Sequence, residues 1–230
     1  MRLSKRLSAV ANMVTNGNRV VDVGTDHGYI PIYLVRKMRI PSAIAMDINK
    51  GPLERAKGHI LEYGLESYIQ TRQSDGVKAL KDNEGDTLII AGMGGGLVIK
   101  ILDEGKQVLS SFQEFILQPQ SEIFQVRQYL QENGYRILEE KFLQEDGKFY
   151  TIIKAIKGAM ETLSPVYLKY GKQLLENKDP VLKEFLLKEQ VQYLKIKYNL
   201  LEKNTSSSIE RLNEIEEKLE YNNLALTIID

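Results

Sequence analysis

Residues Val20–Pro31 read VVDVGTDHGYIP. A short apolar run meets an acid, a glycine, then threonine, acid and histidine before a second glycine. In open α/β sheets, ligands bind beyond the carboxyl ends of the strands. Gly24 and Gly28 would let the backbone turn sharply there and approach a ligand closely. Asp22 precedes the turn and Asp26 lies inside it. Thr25 or Asp26 could equally cap the helix that follows. The spacing D-x-G-T-D-H-G differs from the G-x-G-x-x-G of a dinucleotide site, where a pyrophosphate sits on the helix N-terminus. Two acids would repel a pyrophosphate, but they suit a ligand carrying an ammonium and a sulfonium. The loop therefore disfavours a nicotinamide cofactor and favours S-adenosylmethionine.

Four further strand ends carry polar or glycine-rich residues. AIAMD stops at Asp47, 23 positions after Gly24 by subtraction. An acid at the end of a second strand, about 20 residues past the glycine turn, can accept from ribose hydroxyls; it can also serve as a cap. Gln73-Ser74-Asp75-Gly76 offers an acid to an adenine's exocyclic amine, or again a cap. DTLIIAGMGGGLV runs from an apolar strand straight into Gly92-Met93-Gly94-Gly95-Gly96. Such glycine density costs backbone entropy. It suggests a surface that a ligand approaches closely, with a flexible loop as the plain alternative. Met93 would be an apolar neighbour for a cofactor or target base. Gln118-Pro119-Gln120 ends a fifth run on the same edge and could line a pocket.

These residues need a scaffold, and the chain has the material for one. Its 230 residues are 43% hydrophobic, enough for a sizeable core. Runs at Arg19–Gly24, Ser42–Ile48, Tyr68–Asp75, Asp86–Gly92 and Glu114–Gln120 read as strands. Between and after them, Gly28–Met38, Gly51–Tyr63, Val77–Leu80, Gly96–Gly105 and Glu122–Asn133 read as helices. That alternation argues for a parallel, doubly wound sheet. Tyr135–Gln144 and Lys148–Lys157 flank Glu145-Asp146-Gly147, and Asp-Gly between two strands signals a hairpin. Five βα steps closed by an antiparallel pair resemble the Rossmann-like, seven-stranded sheet of class I S-adenosylmethionine-dependent methyltransferases.

Leu3, Leu7, Val10 and Val14 predict a short amphipathic helix with Arg2, Lys5 and Arg6 facing solvent. After Gly158 the composition shifts, which predicts two domains, 1–160 and 161–230. Pro165 and Pro180 bound a helical stretch Tyr167–Glu176. Leu187, Val191, Leu194, Tyr198 and Leu201 are spaced four, three, four and three, a heptad seam. Asn204–Ser208 interrupts it and offers caps, and Leu212, Ile215 and Leu219 resume the spacing. The expectation is an antiparallel helical hairpin of coiled-coil type, although so short a seam could also pack onto the first domain.

Composition closes several routes. With no cysteine there are no disulfides, thiolate metal sites or cysteine nucleophile, and no metal site is expected. No apolar run approaches the roughly 20 residues of a membrane helix, and the basic start lacks the apolar stretch of a signal peptide. A soluble, cytoplasmic protein is expected, and a monomer suffices. Net charge is zero, so a nucleic-acid partner would need a local patch. Arg2, Lys5, Arg6, Arg36, Lys37 and Arg39 could form one.

Taken in order, VDVGTDHGYIP, AMDINKGPLERA, QSDG, AGMGGGLV and FILQPQ resemble the bacterial tRNA (adenine(22)-N1)-methyltransferase family, and the likeness extends to the C-terminal hairpin. The resemblance implies methyl transfer from S-adenosylmethionine to a ring nitrogen of one tRNA adenine. It implies cofactor binding by Asp22, Gly24, Thr25, Gly28, Asp47, Ile48, Asn49, Ser74, Asp75, Gly76, Gly92, Met93 and Gly94. It places Asp26, His27 and Tyr29 at the chemistry, with Asp26 near the developing cation or the base's amine. His59 reads as a surface or packing residue.

The residues agree with that chemistry. Pyrimidine C5 methylation in RNA commonly proceeds through a cysteine adduct, which this chain cannot form. Methylation of an exocyclic adenine amine usually employs an Asn/Asp-Pro-Pro-aromatic motif after the fourth strand, and AGMGGG stands there instead. A ring nitrogen has a nucleophilic lone pair and needs no such activation. Competing readings are the same fold acting on another RNA, a protein or a small molecule, and an inactive cofactor-binding adaptor. The intact acids Asp22, Asp26, Asp47 and Asp75 weigh against decay.

Overall fold

The computed structural model describes residues 1–203 and 206–230. The chain forms two compact units. The first comprises Met1–Lys141 and Tyr150–Glu161, and the second Phe142–Phe149 and Thr162–Asp230.

The first unit opens with helix α1 (Lys5–Met13), whose Ser4 cap accepts from the Leu7 amide at 3.2 Å. Five strands and four helices follow, with no helix between β3 and β4: β1 (Val20–Val23), α2 (Tyr29–Arg36), β2 (Ala43–Asp47), α3 (Lys50–Glu62), β3 (Ile69–Gln73), β4 (Thr87–Met93), α4 (Gly95–Glu104), β5 (Glu114–Pro119) and α5 (Ile123–Glu132). Strands β6 (Tyr135–Glu145) and β7 (Lys148–Lys157) close the sheet. Strand order is β3-β2-β1-β4-β5-β7-β6, with β7 antiparallel to β5 and the other determined pairs parallel. Asp146 and Gly147 both adopt positive φ, 49° and 75°, as the predicted two-residue hairpin turn requires. This is the expected α/β Rossmann-like methyltransferase fold.

Because side chains alternate along a strand, each strand contributes to both faces. Val21, Val23, Ile44, Met46, Leu88, Ile90, Phe115 and Leu117 share one face and pack with α4 and α5 through Val98, Ile101, Leu102, Val126 and Leu130. Asp22 and Gln118 point to the opposite face, where α1 and α2 lie against the sheet. The strand order reverses between β1 and β4, so a crevice opens at their carboxyl ends.

Two local expectations fail in this unit. Val77–Leu80 is a turn, closed by Lys78 N–H to Asp75 O and Leu80 N–H to Val77 O; four residues are too few to repay helix nucleation. Arg6 is half-buried rather than solvent-facing, for reasons seen at the site.

The second unit holds α6 (Pro165–Tyr170), α7 (Lys172–Glu176), α8 (Pro180–Lys203) and α9 (Ser206–Ile229). Gly171, at φ 93°, splits the single helix expected over Tyr167–Glu176. Asn222 donates to the Leu186 carbonyl and Lys197 pairs with Glu216, so α8 and α9 run antiparallel. On α9 the predicted Ile215 and Leu219 are buried, but on α8 the packing does not use the predicted seam. Leu187, Val191, Leu194, Tyr198 and Leu201 are 47–67% exposed, while Leu182, Leu186, Ile215, Ala225 and Ile229 are buried. Alpha9 meets the neighbouring stripe of α8, because α6 and α7 join the same core through Val166, Tyr170, Leu174 and Leu175. The caps expected at Asn204 and Thr205 fall outside the described residues, as do the side chains of Ser206–Ser208.

Candidate active site

A cleft of about 330 Å³ lies at the switch point. Its lining takes Asp22 from β1, the loop Gly24–Ile30, Ala91 and Gly92 from the end of β4, Gln120 after β5, and Arg6 and Leu7 from α1. Segments far apart in sequence meet here because the ends of β1, β4 and β5 point the same way.

The loop after β1 is shaped by backbone needs. Gly24 and Thr25 N–H both donate to the Met46 carbonyl, at 2.8 and 2.9 Å. Gly24 has φ +80°, and a Cβ there would lie 2.1 Å from Met93 Cε. Met93 thus covers Gly24 and brings an apolar surface to the loop. Gly28, in the left-handed conformation, begins α2 with no side-chain cap, so Thr25 and Asp26 are not capping residues. A Cβ at Gly28 would meet Ala56 of α3 at 3.3 Å.

That approach to α3 organises the polar side chains. Asp26 is ion-paired with Arg55 and lies 3.1 Å from His27 Nε2. The Arg55 hydrogen bond holds the Asp26 carboxyl below the usual carboxylate range. His59 Nδ1 lies 3.0 Å from the His27 carbonyl oxygen, so the donor is Nδ1–H. The rings of His27, Tyr29 and His59 form a triangle with centroids 4.9, 5.2 and 5.4 Å apart; Tyr29 is stacked on both histidines, and the two imidazoles are tilted by 31°. His27 Nδ1 is buried and has no hydrogen-bond partner among the described residues. Arg55 and His59 were missed in the sequence. The available signal was their i, i+4 spacing around a small Ala56, which becomes meaningful only once Gly28 is seen against it.

Asp22 is buried, and among the described residues it has no ion-pair partner. Burial pushes its carboxyl up to about 6. A buried carboxylate without a counter-charge is costly, so Asp22 suits a ligand's ammonium group. Asp47, at the end of β2, accepts from the Asn49 amide at 2.7 Å, and beside it Ile48 is 55% exposed. An acid next to an open apolar side chain can take a ribose and one purine face. Buried acid, acid beside apolar surface, and glycine turn together fit the chemistry of S-adenosylmethionine.

Other predicted residues fall elsewhere. Ser74 is buried; its Oγ accepts from Ala79 N–H at 3.1 Å and its amide donates to the Asp47 carbonyl. Asp75 and Gly76 line a second hollow of about 380 Å³ with Lys78, Leu97 and Lys100. There Asp75 is paired with Lys78, and it is not among the residues lining the Asp22 cleft. The glycine run after β4 also has a different reason from the one expected for most of its members. A Cβ on Gly95 would collide with the Ser121 carbonyl oxygen at 2.5 Å, and Gly94 and Gly96 face Ser121 and Glu122. These glycines let α4 approach the β5–α5 turn; Gly92 alone opens on the cleft. Arg39 is spent on the end of α1, donating to the Ala11 and Val14 carbonyls, so the basic patch loses that member. Among the described residues no group of His, Asp and Glu could hold a metal ion, and no helix is long and apolar enough to cross a membrane.

Residues 3–153 match the family described as a methyltransferase domain. Over 158 residues the chain is 40% identical to the tRNA (adenine(22)-N(1))-methyltransferase of Bacillus subtilis, covering 69% of this chain and 66%, just under two thirds, of that one. The crystal structure of the B. subtilis M1A22 tRNA methyltransferase TrmK is similar at a TM-score of 0.87 and 32% identity, over 98% of this chain and 99% of that one. M. capricolum TrmK in complex with S-adenosyl-homocysteine matches over the full length of both chains at a TM-score of 0.88 and 27% identity.

Proposed function

The chain belongs to the tRNA (adenine(22)-N1)-methyltransferase family, and from that membership we infer that it transfers the methyl group of S-adenosylmethionine to ring N1 of adenine 22 in tRNA. The observation that carries the reading is the convergence in one cleft of buried Asp22, the Asp26–Tyr29 loop and the open Gly92 end of β4.

The cofactor supplies an electrophilic methyl group on a sulfonium. Asp22 takes its ammonium, and the turn of Gly24, Thr25 and Gly28 lets it approach the backbone. Asp47 takes the ribose hydroxyls. Ile48 and Met93 offer apolar surface to the purine, with Asn49 beside Asp47 at that end. For Asp75 to reach the adenine amine it must exchange Lys78 for the ligand.

When bound, the cofactor would supply its sulfonium methyl to the N1 lone pair, the electrons of the methyl–sulfur bond returning to sulfur. Neutral N1 carries no proton, so no base is required, and the adenine ring becomes cationic. The protein's task is positioning and charge stabilisation. Tyr29, 37% exposed and stacked on His27, offers a face to the extruded base, and Asp26 supplies negative charge close to that platform. A tRNA substrate makes the cytoplasm the working compartment.

The test is methyl transfer from labelled S-adenosylmethionine to unmodified bacterial tRNA, with the product identified by mass spectrometry. N1-methyladenosine at position 22 is the expected product. No transfer by protein that still binds S-adenosylhomocysteine would retain the cofactor and reject the substrate.

A further inference from the structure

Gly92 sits at a bulge where β4 slips by one residue against β5, between the pairs Ala91–Gln118 and Met93–Pro119. Bulges beside active sites often re-aim the chain. A Cβ added to Gly92, at φ +81°, would lie 3.7 Å from Arg6 Nη1 and 3.8 Å from Gln120 Nε2. Two nitrogen donors from separate segments therefore face one gap, in front of a residue with no side chain to fill it.

Arg6 is held in place there. Its Nη1 donates to Gln118 Oε1 at 2.6 Å, and its guanidinium lies over the Tyr150 ring, 5.5 Å from the centroid. Gln118 is itself buried, with Nε2 donating to the Pro119 carbonyl at 3.2 Å. Among the described residues that line the cleft, Arg6 is the one arginine or lysine, and Asp22 and Asp26 are the acids. A pre-positioned guanidinium on the wall of a cleft that also holds a buried carboxylate complements a ligand with both charges.

We propose that Arg6 and Gln120, around the Gly92 bulge, form an oxyanion-binding subsite of the cleft that receives a carboxylate or phosphate oxygen of a bound ligand. The subsite deepens the methyl-transfer reading and rests on it for its two sources: the α-carboxylate of the cofactor's amino-acid end, or a phosphate of the target RNA.

The test compares wild type with Arg6→Gln and Gln120→Ala, each checked for a native thermal transition. Dissociation constants are measured for S-adenosylhomocysteine and for 5′-methylthioadenosine, which lacks the amino-acid end. KM for tRNA is measured at several salt concentrations. If the oxyanion is the cofactor's, Arg6→Gln binds S-adenosylhomocysteine roughly tenfold or more weakly and 5′-methylthioadenosine as wild type does. If it is a phosphate, S-adenosylhomocysteine binding is unchanged, KM for tRNA rises by a similar factor, and its logarithmic salt slope falls by about one. Gln120→Ala moves the same constant in the same direction by less, and decides the matter if Arg6→Gln does not fold. Unchanged constants for all three ligands, or equal losses for both small ones, overturn the subsite. The binding measurements need no turnover, so failure to methylate tRNA is read separately.

Discussion

The His27 imidazole lies face to face with the Tyr29 ring, centroids 4.9 Å apart and planes 10° from parallel. With His59 stacked on the same Tyr29 ring, the three form a platform for one further flat ring, and stacking contributes roughly 1–3 kcal/mol per base. Tyr29→Ala should therefore lower kcat/KM for tRNA by about 5- to 150-fold and leave S-adenosylhomocysteine binding within about twofold. Tyr29→Phe should restore most of the loss. Steady-state kinetics beside calorimetry checks this; equal losses in both would assign Tyr29 to the cofactor.

Asp26 should matter to transfer more than to cofactor binding, so Asp26→Ala should lose far more kcat than cofactor affinity. The Arg55 hydrogen bond keeps its carboxyl below the ordinary range. In Arg55→Ala the carboxyl returns towards that range and takes up its proton at higher pH. The acidic limb of the kcat/KM profile should then move upward in pH. A limb at the wild-type position would show that the charge on Asp26 is not what the reaction uses.

Asp22 gives a pH dependence of opposite sense for folding and for binding. Burial raises its carboxyl to about 6. Its contribution to folding is present in full below the unfolded value near 3.9 and is lost as pH rises through about 6. Apo Asp22→Asn should accordingly be more stable than wild type at pH 7.5, by at most on the order of 3 kcal/mol, with the gap narrowing towards pH 5. Cofactor binding requires the ionised form, so wild-type affinity for S-adenosylhomocysteine should fall as pH drops below about 6. Denaturation and calorimetry across pH 5–8 would show both trends; a pH-independent affinity would remove Asp22 from the ammonium site.

Arg127 on α5 and Glu140 on β6 form a buried ion pair at 2.8 Å. Removing one partner strands the other charge, which typically costs about 3–5 kcal/mol. Arg127→Met should lose that much stability in urea, whereas Arg127→Met with Glu140→Leu should lose clearly less. A single variant within about 1 kcal/mol of wild type would contradict the burial.

The exposed stripe on α8 and the buried one beside it predict contrasting variants. Leu194→Ser should change stability by no more than about 0.5 kcal/mol. Leu186→Ala should cost about 2–5 kcal/mol. The reverse result would restore the Leu187–Leu201 seam as the helical interface.

Much of the fold was legible in the sequence because its signals are local. Val and Ile runs separated by helical stretches, and Asp146-Gly147 between two apolar runs, depend on nearest-neighbour backbone preferences that tertiary contacts did not overturn. The acids at strand ends were legible for a related reason, since a parallel sheet directs every such end to one edge. Whatever depended on which face meets which was not. Heptad spacing marks an apolar stripe on α8 but cannot say that α9 takes the adjacent one. Glycine density after β4 cannot distinguish Gly92, open to the cleft, from Gly95, pressed against the Ser121 carbonyl. Arg6 reads as a surface charge until α1 is laid across β5 and Gln118 receives it, and His59 reads as incidental until Gly28 draws α3 against the loop. The sequence by itself determined the residue types and the strand order's edge, because short-range sterics and alternation are written locally. Only the tertiary structure decided partners, since contacts between residues dozens of positions apart depend on how helices settle on the sheet.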